Sequence, residues 1–166
     1  KFGTMHTTLN KTPQVISSQE LLDHWQGHRA LTRRAIAAFP EEAFFSHTIG
    51  GMRTFAEMVM ELLGIAAPGI REIATGISAP LNEHLEHGYK KDRLLELWDK
   101  ATAEINTYWS QIKEEQFQQN IKIFGQYDGT VMSSILYFID NEIHHRGQAY
   151  VYLRSLGIEP PAFYER

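Results

Sequence analysis

The sequence predicts an all-α fold, an up-down-up-down four-helix bundle with a long, partly irregular connection between its third and fourth helices. Three observations predict it. Apolar residues recur at helical spacing over four long stretches, with capping residues, glycines or prolines near their ends. No β-hairpin signature stands out against that pattern. The chain has 166 residues, 43% of them apolar and 22% charged, which suits one domain spanning residues 1–166 and burying well over half of its unfolded surface.

The elements follow in order. Residues 1–16 are polar and contain Pro13, so they read as an extended arm. Ser17 and Glu20 have the spacing of a capping box. From there to Phe39 the residues Leu21, Leu22, Trp25, Leu31 and Ile36 mark the first helix, and Pro40 stops it. Phe44 to Gly51 reads as a loop because the glycine pair breaks the periodicity. The second helix runs from about Met52 to Thr75 with Phe55, Met58, Val59, Leu62 and Leu63 on its core face; Pro68 is expected to kink or divide it. A long connection from Gly76 to Tyr89 leads to the third helix, Lys91 to Lys113, whose stripe includes Leu94, Trp98, Ile105 and Trp109. Glu114 to Gly129 is mixed, aromatic and longer than a plain bundle turn, so it is expected to cover one end of the bundle. Thr130 caps the fourth helix, which continues to Leu156 with Gly157 behind it. The tail, residues 158–166, must be extended around Pro160 and Pro161.

Composition excludes several function classes. Cysteine is absent, which removes disulfides, thiolate-bound zinc and a cysteine nucleophile. The formal charge is -4 and the only basic doublets are Arg33-Arg34 and Lys90-Lys91, so no nucleic-acid partner is expected. No apolar run approaches the ~18 residues of a membrane span. The first residues, Lys1 to His6, hold no hydrophobic signal core, and a start at Lys1 in place of Met reads as a trimmed chain; the expected compartment is the cytoplasm.

The candidate working site is Asn141 to Gln148 on the fourth helix. At about 100° per residue, Ser134, Tyr137, Asn141, His145, Gln148 and Tyr152 fall on one side of that helix, with His144 just off the row. Aromatic and aliphatic neighbours flank this polar row, so it is expected to face the bundle interior, where each polar group needs a partner or a ligand. Asn141 and His145 are spaced i, i+4, the spacing by which two side chains of one helix reach a shared metal ion. A buried, hydrogen-bonded histidine has the same spacing. On the second helix Glu57 and Glu61 are also i, i+4, and a carboxylate facing His145 would either bind a metal or hold the imidazole charged. His24 and His28 share the spacing but sit among Asp23, Gln26 and Arg29 on a polar face. His84 and His87 lie in the Pro80–Tyr89 connection, where chance explains them.

The run His144-His145-Arg146-Gly147-Gln148, then Tyr152-Leu153-Arg154 and Gly157-Ile158-Glu159-Pro160-Pro161, resembles the DinB-like (damage-inducible, YfiT-related) superfamily. Gly51-Met52-Arg53-Thr54-Phe55-Ala56-Glu57 adds to the resemblance, which is sharpest at the C-terminal stretch. It implies an up-down four-helix bundle, often a homodimer linked to stress response, with a divalent metal held by three histidines. It also implies, for some relatives, metal-dependent transfer using a low-molecular-weight thiol. Carried over residue by residue, the ligand positions fall on Glu61, Asn141 and His145, so two of three depart from histidine.

Two functions remain open. In one, Glu61, Asn141 and His145 hold a divalent nickel, zinc, manganese or iron ion of a hydrolase or thiol-dependent transferase. There the set, harder than three imidazoles, favours manganese or iron, and Glu57, Tyr137, His144, Gln148 and Tyr152 line the pocket for a small-molecule or thiol substrate. In the other, no metal is bound, Glu61 accepts a hydrogen bond from His145, and the protein is a non-catalytic dimeric binding or scaffold protein.

Overall fold

The computed structural model describes residues 14–166. Most of the arm expected over residues 1–16 lies outside them; its last three residues are exposed. Helix α1 covers Ser18–Ala38, and the expected capping box is formed: the Ser17 hydroxyl accepts from the Glu20 N–H at 3.1 Å and Glu20 accepts from the Ser17 N–H at 2.7 Å. Pro40 ends that helix but opens another. The residues Glu41–Ser46 form α2, a correction to the loop expected from Phe44 to Gly51, whose first three residues are helical. Two acidic residues in its first turn suit the positive end of the helix dipole, and buried Phe44 packs against Phe39 and Phe55 at 5.9 and 5.7 Å between ring centroids.

Helix α3, Phe55–Thr75, begins at the capping box of Thr54 and Glu57, later than expected. Pro68 does not divide it. A proline inside a helix costs about 3 kcal/mol, whereas burying Leu62, Ile65, Ile70 and Ile73 returns roughly 1.5–3 kcal/mol for each side chain. Burial wins. Gly76 ends the helix with a left-handed φ of 70°. The connection that follows lies against α3 so closely that a Cβ on Gly64 would stand 2.5 Å from the Asn82 carbonyl oxygen.

Helix α4 covers Lys91–Trp109 and stops short of the expected Lys113. After one 3-10 turn at Glu114–Gln116 comes the main departure from an all-α fold: strands β1, Asn120–Ile123, and β2, Tyr127–Thr130, pair antiparallel with Ile123 opposite Tyr127. Phe124 and Gly125 turn the hairpin with φ of 54° and 67°, the positive values that tight hairpin turns require. The buried carboxylate of Glu72 on α3 accepts the Phe124 N–H at 3.1 and 3.2 Å. Thr130 ends β2 and caps α5, Val131–Ser155, accepting from the Ser133 N–H. At the other end of α5, Gly157 at φ 74° and the bonds Gly157 N–H to Arg154 O and Ile158 N–H to Leu153 O, at 3.0 and 2.9 Å, close a Schellman motif.

The described chain is therefore mostly helical, five helices with one small sheet. Helix α3 lies against both α4 and α5, and α1 lies against the same two; α2 and the hairpin close over α3. The core between them holds Trp25, Ile36, Phe55, Val59, Ile70, Leu94, Trp98, Ile105, Ile135, Phe138 and Leu153. Among the described residues no helix is long and apolar enough to cross a membrane.

Candidate functional site

Two glycines start the site. Gly50 and Gly51, at φ 60° and 76°, bend the chain entering α3 in a way that other residues resist. The bend lays Met52 and Arg53 on α5, where the hydroxyl of fully buried Tyr152 donates to the Arg53 carbonyl at 2.9 Å and the Gln148 amide reaches the Met52 sulfur at 3.4 Å. The segment before α3 is thus tied to the polar row of α5.

That row meets Glu61. The Asn141 amide donates to Glu61 Oε1 at 2.9 Å, and His145 Nε2 stands 3.2 Å from the same oxygen. Gln148 Oε1 lies 2.7 Å from His145 Nδ1 and fixes the ring from behind. Arg53, from the glycine-bent segment, places Nη2 2.5 Å from Glu61 Oε2 and 3.5 Å from His145 Nε2. Burial pushes the Glu61 carboxyl up, but the hydrogen bonds from Asn141 and Arg53 and the nearby His145 outweigh it and hold the group below its ordinary value. Glu61 is an anchored carboxylate.

The three residues matched to ligand positions are therefore together. The expected lining residues divide. Gln148 and Tyr152 support the site. Tyr137 is more than half exposed and lines a neighbouring cavity. His144 points to solvent with its ring centroid 5.1 Å from that of His145. Glu57 is spent on the capping box with Thr54 at the start of α3. Arg53 was missed: the glycine pair and capping box around it were readable, but nothing local aims its side chain at residues 8 and 92 positions away.

This chemistry does not fit the three-imidazole ion that the resemblance implies. Asn141 turns a donor, not an acceptor, towards Glu61, and a guanidinium already engages the second Glu61 oxygen. Among the described residues no three His, Asp or Glu side chains converge as metal ligands.

The motif residues between these serve a second network. Glu142 and Arg146 turn towards α1, where Glu142 accepts from Trp25 Nε1 at 3.1 Å and from the Thr32 hydroxyl at 2.7 Å. Arg146 lies 2.9 Å from His28 Nδ1. The pair His24 and His28 meets at 3.2 Å between Nε2 atoms, with only His28 buried. Burial first, then Arg146, lowers His28 to about 4, so it is a neutral structural acceptor. His87 stacks on Phe45 with ring centroids 5.0 Å apart, while His84 is exposed.

Beside Glu61 opens a cavity of about 490 Å³, walled by α3, α5, the hairpin and the connection that follows α3. Phe138 lies against Gly69, where a Cβ would stand 2.5 Å from the ring. That volume is in the range of small-molecule sites.

The family profile and the solved structures point the same way. The DinB family profile matches residues 5–166. A DinB-like protein from Bacillus cereus ATCC 10987 superposes with a TM-score of 0.71 at 17% identity, over 88% of this chain and 97% of that one. A DinB-like protein from Bacillus subtilis does so with 0.71 at 22% identity, over 88% and 99%. Among curated proteins there is no significant match.

Proposed function

The chain belongs to the DinB family, and from that premise we propose that it is a metal-independent member that binds a small molecule beside Glu61. In this reading the four long helices are an up-down-up-down bundle, the compartment is the cytoplasm, and the positive charge that the resemblance assigns to a metal is supplied by Arg53. The observation that carries it is the Arg53 guanidinium, 2.5 Å from Glu61 and 3.5 Å from His145. A divalent ion between those two ligands would meet a like charge at contact distance and would have to displace it. The protein also pairs as a homodimer; an exposed apolar line of Leu136, Ile143 and Val151 along α5 supports this.

The test is elemental analysis of protein purified without a nickel column, followed by titration with zinc and manganese. The expected result is substoichiometric metal and no saturable uptake. One ion per chain, lost in His145→Ala, would overturn the reading. That result would favour the metal-dependent hydrolase or thiol-dependent transferase, for which one observation speaks: the Arg53 side chain is 46% exposed, so solvent borders the place it would vacate.

A further inference from the structure

The cavity beside Glu61 carries charge of one sign. Its charged lining is Glu61, Glu83 and Asp128, with no lysine or arginine among the lining residues. Two of the three carboxylates are answered from outside the cavity: Glu61 by Arg53, and Asp128 by Lys122 across the hairpin at 3.5 Å. Glu83 differs. Among the described residues it makes no ion pair, and its side chain is half-buried over α3. It is held there because the backbone at Asn82 presses on Gly64, with the Glu83 Cγ 3.4 Å from where a Gly64 Cβ would stand.

The rest of the wall is aromatic and aliphatic, with the hydroxyls of Ser133 and Ser134 at one side. Phe124, Phe138, Tyr127 and Tyr137 border the same space, and ring faces attract cations through their quadrupole. The negative potential is felt inside: burial first, then Glu61, Tyr127 and Glu83, pushes the Tyr137 hydroxyl up from its ordinary value. An anion entering here would meet three carboxylates, and a neutral apolar molecule would leave the half-buried charge of Glu83 without a partner. A cation with an apolar body satisfies both walls.

We propose that this cavity binds a small organic cation, an ammonium group on an aromatic or alkyl body, with Glu83 as its counter-charge and the tyrosine and phenylalanine rings around the body. The inference rests on reading this face as a ligand site. Its test is calorimetric titration of the chelator-washed full chain with phenethylammonium, 2-phenylethanol and phenylacetate. Phenethylammonium is expected to bind saturably and about tenfold or more tighter than 2-phenylethanol, with no binding of phenylacetate. Glu83→Gln, on an irregular connection outside the helices, is expected to weaken the ammonium about fivefold without weakening 2-phenylethanol. The proposal is overturned if phenylacetate binds as well as the ammonium, if the ammonium does not saturate, or if Glu83→Gln leaves its affinity intact. A metal found by elemental analysis would sink the metal-independent reading without touching these titrations, so the two failures are separable.

Discussion

Arg53→Met separates the charge of the guanidinium from its shape. The substitution keeps a long apolar stem, and the Tyr152 hydroxyl bonds the Arg53 carbonyl rather than its side chain, so the segment entering α3 stays in place. What is lost is the pair with Glu61. Unit charges about 4 Å apart at an effective dielectric of about 20 attract by ~4 kcal/mol. Arg53 is 46% exposed and Glu61 14%, and solvent at such a half-open pair reduces the net value to roughly 0.5–1 kcal/mol. The sign with pH follows from the lowered Glu61 group. Its carboxylate stabilises the fold above the ordinary carboxylate range, and that contribution is lost as pH falls through the folded value. The variant should therefore be less stable than the parent at pH 7 and converge on it in acid. Urea unfolding of both proteins across the carboxylate range measures the difference. A second arm adds zinc: with the guanidinium gone, Glu61 and His145 are free to share an ion, and the variant alone gains thermal stability. A difference under about 0.3 kcal/mol that stays flat with pH, or an identical zinc response, would refute the reasoning.

Three further outcomes are expected. His28, lowered from 6.5 to about 4, resists a proton that the unfolded chain accepts, so stability falls as pH drops from 6.5 towards 4, by roughly 1–3 kcal/mol once solvent screening is allowed for; His28→Gln, followed by thermal melts, flattens that slope. Gly69→Ala pushes a methyl into the Phe138 ring and costs about 1–3 kcal/mol in urea unfolding; an unchanged midpoint would mean that this helix contact is loose. Ile143→Lys, in the exposed apolar line of α5, converts a dimer to a monomer by light scattering, and a monomeric parent would dispose of the dimer altogether.

Features with local causes were legible in the sequence. The Ser17–Glu20 box, the Thr130 cap and the Gly157 ending each depend on residues within a few positions, and all three are present. Glu61, Asn141 and His145 came from i, i+4 spacing joined to the family resemblance, and they do meet. Thr54–Glu57 was equally local, yet the same glutamate also fitted a pocket, and spacing alone could not choose between them. Six-residue α2 is too short for periodicity to register. The hairpin escaped because its turn begins with phenylalanine where asparagine is the usual signal. Arg53 escaped for a different reason, since its partners sit on α3 and α5, 8 and 92 positions away.

The hairpin turn has a consequence for the order of events. A phenylalanine at positive φ costs roughly 1–2 kcal/mol, and the carboxylate that offsets it, Glu72, is 52 residues away on α3. The two strands are neighbours in sequence, yet their turn is stable only once the helix has docked. The hairpin is thus expected to close late in folding, despite its short loop, and to be among the first parts to open in the native state. Because it forms one wall of the cavity, entry by a ligand need not wait for the helices to part. Hydrogen exchange at the Phe124 amide, compared with amides in the middle of α3, reports on that motion directly.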